Sequence, residues 1–192
     1  MEDFVSFFLI LVCITIFYVY LEGKSLGVTF VKSKDDTKFL VRNLPDKQQA
    51  ANLLSEIRNR LSKLVEYIAT QNDAEKADIE RLKKNFRPDN ISESSPGNSY
   101  TSYSINKGEK IVFCIRSKDK TNKLMDINTM MFVAIHELAH LMTKSIGHTP
   151  EFWNNMKYLL KKAIDINVYV KQDFTKKPVN YCGTKITNSP LD

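Results

Sequence analysis

The chain opens with a long run of hydrophobic positions. Residues Phe4 to Leu21 read FVSFFLILVCITIFYVYL and contain no charged side chain. As a helix this run is about 27 Å long, at about 1.5 Å per residue, and it predicts a transmembrane anchor over residues 1–23. A cleaved signal peptide fits less well, because no basic segment precedes the run and Leu21-Glu22-Gly23 is a poor cleavage site. A buried core helix is a third, weaker interpretation.

The charges around this run predict its orientation. Basic residues follow it, beginning with Lys24, and none precedes it. Because flanking Lys and Arg tend to remain on the cytoplasmic side, we expect a single-pass membrane protein that contacts the bilayer through residues 4–21. Residues 24–192 then form one domain facing the cytosol.

Two helices are predicted in the first half of that domain. From Ala50 to Ile68, hydrophobic residues recur at steps of three and four, which is typical of a helix with one buried stripe. A second helix is predicted from a cap at Asn72 or Asp73 to the residue before Pro88. The Ser-, Asn-, Pro- and Gly-rich residues 88–99 predict a surface loop.

Strands and two further helices complete the pattern. The β-branched and aromatic residues of Tyr100 to Ile105 and Lys110 to Arg116 predict a β-hairpin around a turn at residues 106–109. Shorter β-like runs occur at Leu26 to Val31 and Phe39 to Val41. The predicted buried helix spans Asp126 to Met142 with Gly147 as its C-terminal cap, and the last helix spans 149–166, with Thr149 as cap and Pro150 at its first position.

Composition limits the function classes. With 192 residues, 43% hydrophobic and 26% charged, the chain can bury one core. The net charge of +6 is scattered, so nucleic-acid binding is possible but no clear patch supports it. The chain has three cysteines, Cys13, Cys114 and Cys182. Because this number is small and odd, a disulfide framework is not expected, and a reducing compartment fits best. The cysteines form no CxxC pair, which excludes a thiolate zinc site of that type.

The candidate chemistry lies inside the predicted buried helix, at His136-Glu137-Leu138-Ala139-His140. Residues four apart share a helix face, so the two imidazoles can converge on one metal ion. Glu137 lies beside them and is the candidate general base. Such five-residue matches also occur by chance on surface helices, but the hydrophobic residues around this one indicate burial.

A third ligand is expected from the turn after this helix. His148 follows Gly147, where the chain can reverse, and precedes the cap of the last helix. Glu151 is an alternative third ligand, although its place in the first turn of a helix favours a capping role. Phe152 and Trp153 are predicted core residues, and Tyr181 is weighed as an oxyanion donor but left out of the predicted catalytic set.

These motifs carry a family resemblance. The stretch HELAHLMTKSIGHTPEFW resembles the zinc peptidases of the WLM and SprT-like group, and VFCIR through HELAHLMTKSIGHTPEFWNNMKYLL is similar to WLM-type metallopeptidases of large DNA viruses. The resemblance covers residues 100–191. It implies an α+β, zincin-like domain behind the anchor, Zn²⁺ held by His136, His140 and His148, and catalysis by Glu137. In a virus, the membrane would be that of the host or the virion.

The expected function is hydrolysis of a peptide or protein substrate by this zinc site. One alternative is a non-enzymatic, membrane-tethered protein that binds zinc or a partner, with a closed metal site. Another is zinc-dependent hydrolysis of a non-peptide substrate, since HExxH does not specify the substrate.

Overall fold

Five helices and seven short strands make up the part of the chain that a computed structural model describes, residues 2–25, 27–71 and 74–192. The helices are α1 (Glu2–Ser25), α2 (Lys47–Ala69), α3 (Lys76–Asn85), α4 (Ile127–Met142) and α5 (Pro150–Asp165). The strands are β1 (Val28–Lys32), β2 (Lys38–Arg42), β3 (Ile91–Glu93), β4 (Tyr103–Ile105), β5 (Lys110–Phe113), β6 (Val179–Tyr181) and β7 (Thr184–Ile186). The arrangement is α+β, as the sequence predicts.

Helix α1 corrects the predicted membrane anchor. Among the described residues, none of the helices combines the length and hydrophobicity that crossing a bilayer requires. The uncharged run of residues 4–21 is about 27 Å long, whereas the hydrocarbon core of a typical bilayer is about 30 Å thick. The predictions of a transmembrane helix and of a single-pass membrane protein with a cytosolic domain are therefore wrong. The division of the chain after residue 23 stays a prediction.

A three-stranded sheet in the order β3-β5-β4 supports the centre of the domain. Strand β4 is antiparallel to β5, with Tyr103 opposite Val112, which confirms the predicted hairpin with shorter strands. Its turn requires Gly108, because a Cβ there would lie 2.2 Å from the Asn85 carbonyl oxygen. In the order β3-β5-β4, strand β4 is an edge of this sheet. The predicted β-like runs near the start of the domain form a separate antiparallel pair, β1 with β2.

Helices α2 and α4 form the core. Helix α2 buries the predicted stripe, and α4 is buried on most sides between α2, α3 and α5. Such near-complete burial explains why α4 is apolar almost all round. Helix α3 begins at Lys76, and its predicted caps Asn72 and Asp73 lie outside the described residues.

The ends of α4 and α5 follow from their capping residues. Asp126 caps α4 by accepting from the Thr129 backbone N–H at 2.9 Å. The helix ends at Met142 because Thr143 turns to an extended backbone, so the predicted C-terminal cap at Gly147 is wrong. Thr149 caps α5 as predicted, accepting from the Phe152 N–H at 3.4 Å.

Strand β3 lies where a surface loop is predicted. It runs parallel to β5 and is buried despite its polar residues. Glu93 accepts from Arg116 Nε at 2.7 Å and from the Arg42 backbone N–H at 2.8 Å, and Arg116 also donates to Asp46 at 2.6 Å. We call Arg42, Asp46, Glu93 and Arg116 the buried charge cluster. Because the charges of this cluster are paired, a polar segment can form a buried strand. The pattern of hydrophobic residues along the chain does not predict such a strand.

A disulfide joins Cys114 to Cys182, with 6.3 Å between their Cα atoms. The expectation of no disulfide is therefore wrong for these two residues, whereas Cys13 is free and exposed. The bond links the end of β5 to the turn of a hairpin, β6 with β7, that the sequence pattern does not predict. Because 68 residues separate the two cysteines, spacing along the chain gives no sign that they meet.

Candidate metal centre

Helix α4 carries two of the predicted ligands on one face. His136 and His140 are one turn apart, and their ring centroids lie 4.9 Å from each other. Between them in sequence, Glu137 is buried, with 4% of its surface exposed. The helix therefore fixes two imidazoles and a carboxylate beside one another before any other element contributes.

The third histidine completes the set. His148 Nε2 lies 3.1 Å from His136 Nε2, and a ligand nitrogen from each of the three rings lies within 4.8 Å of the others. Two nitrogens that each lie about 2.1 Å from a tetrahedral ion are about 3.4 Å apart, so this spacing suits a small divalent cation. We call His136, His140 and His148 the histidine triad; the structure brings together all three predicted ligands, and they could bind a metal ion.

The loop between α4 and α5 is held in place by its own polar contacts. Glu151 accepts from the backbone N–H groups of Lys144 at 2.8 Å and Ser145 at 3.1 Å. Lys107, from the β4–β5 turn, donates to the carbonyl oxygens of Thr143 and Ser145 at 2.8 and 2.9 Å. These contacts explain how a glycine-containing loop presents His148 at a fixed place.

Glu151 has a structural role in this loop. Its hydrogen bonds, the largest contribution coming from Ser145, lower the pKa of the carboxyl to about 2. The group of candidate metal donors found among the described residues contains the three histidines and not Glu151. The alternative third ligand is thus engaged in holding the loop that carries His148.

Aromatic side chains pack against the triad. Phe152 is fully buried, and its ring centroid lies 4.4 Å from that of His140 and 4.8 Å from that of His148. Trp153 lies 5.5 Å from the His148 ring but is 42% exposed, so the prediction of a core residue is right for Phe152 and wrong for Trp153. This packing limits the rotation of the imidazoles.

Burial sets the protonation of the site. Desolvation, with smaller effects from the neighbouring histidines, lowers the pKa of His136 to about 3 and that of His140 to about 4. Both rings are therefore neutral at pH 7, which is the form that binds metal. Burial also raises the pKa of Glu137 to about 7.

The triad opens into a cleft of about 570 Å³. One wall is formed by residues 101–104, where the chain enters β4, and the floor is His136, Glu137 and His140 of α4. The remaining lining is mostly hydrophobic and comprises Phe132, Val133, Ile146, Tyr181 and Ile186, among others. A chain segment placed in this cleft would contact the triad and the buried carboxylate together.

Tyr181, which was left out of the predicted catalytic set, lies at the cleft. Its side chain is 3% exposed, it lines the cleft, and its Oη lies 2.5 Å from Ser102 Oγ. Lys107, which donates to carbonyl oxygens of the loop between α4 and α5, was also not predicted. Neither residue is near the HExxH motif in sequence, so the only available signal for Tyr181 was the family-like tail around it.

Comparisons with known proteins place the chain in a family. The family model described as the WLM domain matches residues 33–191. An uncharacterized protein of Acanthamoeba polyphaga mimivirus is 36% identical over 187 residues, which cover 95% of this chain and 94% of that protein. An uncharacterized protein of Invertebrate iridescent virus 6 is 39% identical over 83 residues, 42% of this chain and 44% of that protein.

The fold has a counterpart of known structure. The crystal structure of Wss1 from Saccharomyces cerevisiae matches with a TM-score of 0.51 at 23% identity, covering 66% of this chain and 86% of that chain. This match shows a shared fold, and the match to the WLM family model indicates a metallopeptidase-like function. Matched over most of its length by the family model and by a mimivirus relative, the chain belongs to the WLM-domain family, with relatives in large DNA viruses.

Proposed function

We propose that this chain is a zinc-dependent peptidase in which His136, His140 and His148 hold the metal and Glu137 is the general base. The observation that supports this most is the convergence of three ring nitrogens within 4.8 Å at the floor of an open cleft, beside a buried carboxylate. Three imidazoles and no thiolate form a donor set typical of catalytic zinc.

Each residue has a distinct task in the proposed reaction. A zinc ion bound by the triad would supply Lewis acidity, polarising a peptide carbonyl and lowering the pKa of water. Glu137 takes a proton from the attacking water and gives it to the leaving amine. The burial of Glu137 keeps bulk water from solvating its carboxylate, so it retains the basicity that this transfer needs.

The edge strand β4 is the proposed docking site for the peptide or protein substrate. Among the described strands β4 pairs with β5 alone, and residues 101–104 face the cleft. An extended peptide can add to such an edge through backbone hydrogen bonds, which recognise a main chain of any sequence. The hydrophobic lining opposite would then receive side chains. Nucleic-acid binding, for which the scattered positive charge is the only sign, stays a prediction.

A closed, structural metal site is the competing function, in which the protein would bind zinc or a partner without cleaving it. Such sites take four protein ligands. Within residues 2–25, 27–71 and 74–192 the donor group comprises three, and the cleft is open beside them. This count favours the hydrolytic function.

The Glu137→Gln substitution tests the proposal. It keeps the shape of the side chain but removes the base, so we expect cleavage of casein to fall by about 10²–10⁴-fold while bound zinc is unchanged. Cleavage is measured by release of fluorescent peptides from labelled casein, and zinc by mass spectrometry of the dialysed protein. The matched control is Glu66→Gln on the exposed face of α2, which should behave as wild type. Undiminished cleavage by Glu137→Gln would refute the assignment.

A further inference from the structure

The β6–β7 hairpin, residues 179–186, packs against the hydrophobic core through Val179, Tyr181, Cys182 and Ile186. Among the described strands, β6 and β7 pair only with each other. Two buried links anchor the hairpin: the disulfide from Cys182 to Cys114 and the contact of Tyr181 Oη with Ser102 Oγ. Because Tyr181 and Cys182 are adjacent, the disulfide fixes the backbone that carries the tyrosine.

The turn of this hairpin needs such a restraint. Cys182 has φ +46° and Gly183 has φ +81°, the left-handed pair of a tight two-residue hairpin turn. Glycine adopts this conformation freely, but cysteine does so at a cost and persists there when surrounding bonds hold it. The Cys114–Cys182 disulfide is the bond that holds Cys182 in this conformation.

A chain of hydrogen bonds orients the Tyr181 hydroxyl. The Cys114 backbone N–H donates to Ser102 Oγ at 3.1 Å, and Ser102 Oγ lies 2.5 Å from Tyr181 Oη. A serine hydroxyl that accepts from the backbone can donate its own proton to the phenol oxygen. In that arrangement, with Ser102 as the donor, the phenol proton is free to point into the cleft that Tyr181 lines. Cys114 therefore holds Tyr181 through both the disulfide and this chain.

Tyr181 is suited to act as a donor toward a substrate. It lines the same cleft as the histidine triad and Glu137. Burial raises its pKa well above the ordinary range for tyrosine, so its hydroxyl keeps its proton at neutral pH. The other strong donor of the lining, Lys107, is engaged by the carbonyl oxygens at the end of α4.

We propose that Tyr181 is a catalytic residue that donates a hydrogen bond to the scissile carbonyl oxygen as negative charge develops on it, and that the Cys114–Cys182 disulfide is the device that positions it. The proposal rests on the peptidase function above. It makes the activity of the site dependent on redox state. Reduction removes the covalent restraint on the hairpin turn and leaves Tyr181 held by non-covalent contacts alone, whereas His136, Glu137 and His140 stay fixed on α4.

The Tyr181→Phe variant of the full chain tests the donor. We expect kcat to fall about 10²-fold with little change in KM, the size typical of losing one oxyanion donor. The probe is an internally quenched peptide that copies a site cleaved in casein. The matched control is Tyr169→Phe, another buried tyrosine, which lies outside the cleft lining. This control should change kcat less than about threefold.

A binding measurement separates catalysis from structure. A phosphinic peptide of the same sequence mimics the tetrahedral transition state, and Tyr181→Phe should weaken its affinity about 10- to 100-fold. The uncleaved peptide, measured in a Glu137→Gln background, should bind equally well with and without Tyr181→Phe. Equal loss of both ligands, or loss of zinc, would mean that the substitution only disturbs the fold and would overturn the donor role.

Reduction by tris(2-carboxyethyl)phosphine tests the positioning role. The disulfide accepts two electrons, the phosphine becomes its oxide with oxygen from water, and the two water protons end on the new thiols. Cys182 lines a surface cavity of about 440 Å³, through which the reductant can approach. Maleimide labelling should count one thiol before reduction, from Cys13, and three afterwards.

The decisive outcome is the combination of the two changes. Reduction should lower the kcat of wild type toward that of Tyr181→Phe and should not lower that of Tyr181→Phe further, because both remove the same donor. Equal losses in the two proteins, or none in wild type, would overturn the positioning role. The proposed peptidase function fails separately, if wild type cleaves no peptide or Glu137→Gln remains active. If wild type is active and the kcat of Tyr181→Phe is not lower, the donor role of Tyr181 is wrong and the peptidase function stands.

Discussion

The buried charge cluster and the histidine triad both hold ionisable side chains close together and partly shielded from water, but they satisfy them differently. In the cluster, opposite charges meet: Arg116 donates to Glu93 at 2.7 Å and to Asp46 at 2.6 Å. In the triad, two ring nitrogens face each other at 3.1 Å with no carboxylate among the three metal donors. The opposite charges of the cluster are paired within the chain, whereas the triad offers ring nitrogens that could bind a metal ion.

This difference separates residues that stabilise the fold from residues that are arranged to bind a ligand. Burying unpaired polar groups is costly, so a protein retains such a set where something outside the chain completes it. Substitutions in the cluster should therefore lower stability and leave metal binding intact. Substitutions in the triad should abolish metal binding and leave the stability of the fold intact.

The largest stability effect is expected at Glu93. Changing Glu93→Gln leaves Arg116 buried with half of its charge partners, and breaking a buried pair costs about 3–5 kcal/mol. We expect a loss near 3 kcal/mol in the free energy of unfolding measured with urea, since Asp46 remains. The folded variant should still bind zinc.

The control for that experiment is an exposed pair. Asp173 contacts Lys176 at 3.2 Å near the surface, and Asp173→Asn should leave the urea unfolding midpoint almost unchanged. If Glu93→Gln costs no more than Asp173→Asn, burial does not distinguish the cluster and the comparison fails.

A smaller effect is expected at Asp35, which accepts hydrogen bonds near the surface. Its bonds from Ser33 and then Ser55, together with a weaker one from Asn59, lower the pKa of its carboxyl. A depressed folded pKa contributes stability above the unfolded pKa of about 4, and this contribution is lost as the pH falls toward the folded value. Solvent screening keeps it to about 1 kcal/mol.

Urea unfolding of wild type and Asp35→Asn at two pH values measures this effect. The difference should be about 1 kcal/mol at pH 7 and should shrink at pH 3. A difference that grows at pH 3 would contradict the lowered pKa of Asp35.

Local patterns explain which parts of the molecule the sequence could predict. Helix α2 has its own period, α4 and α5 have their own caps, and the HExxH spacing is a property of one helix. His148 follows from a glycine and a cap within the same segment. These features depend on residues close in sequence, so reading along the chain was sufficient for them.

The failures involve partners that are distant in sequence. Strand β3 was missed because Glu93 is buried only by virtue of arginines elsewhere in the chain. The disulfide and Tyr181 depend on the tail meeting β5 across 68 residues. The predicted membrane anchor failed for another reason: its hydrophobic run is close to the minimum length, where composition alone does not decide.

The zinc content of the full chain and of its His148→Ala variant, determined by mass spectrometry after dialysis, tests the central claim most directly. We predict about one zinc ion per wild-type chain and almost none in the variant, with the same far-ultraviolet circular dichroism for both. Equal zinc in the two proteins would show that the imidazole of residue 148 does not hold the metal and would contradict the proposed site.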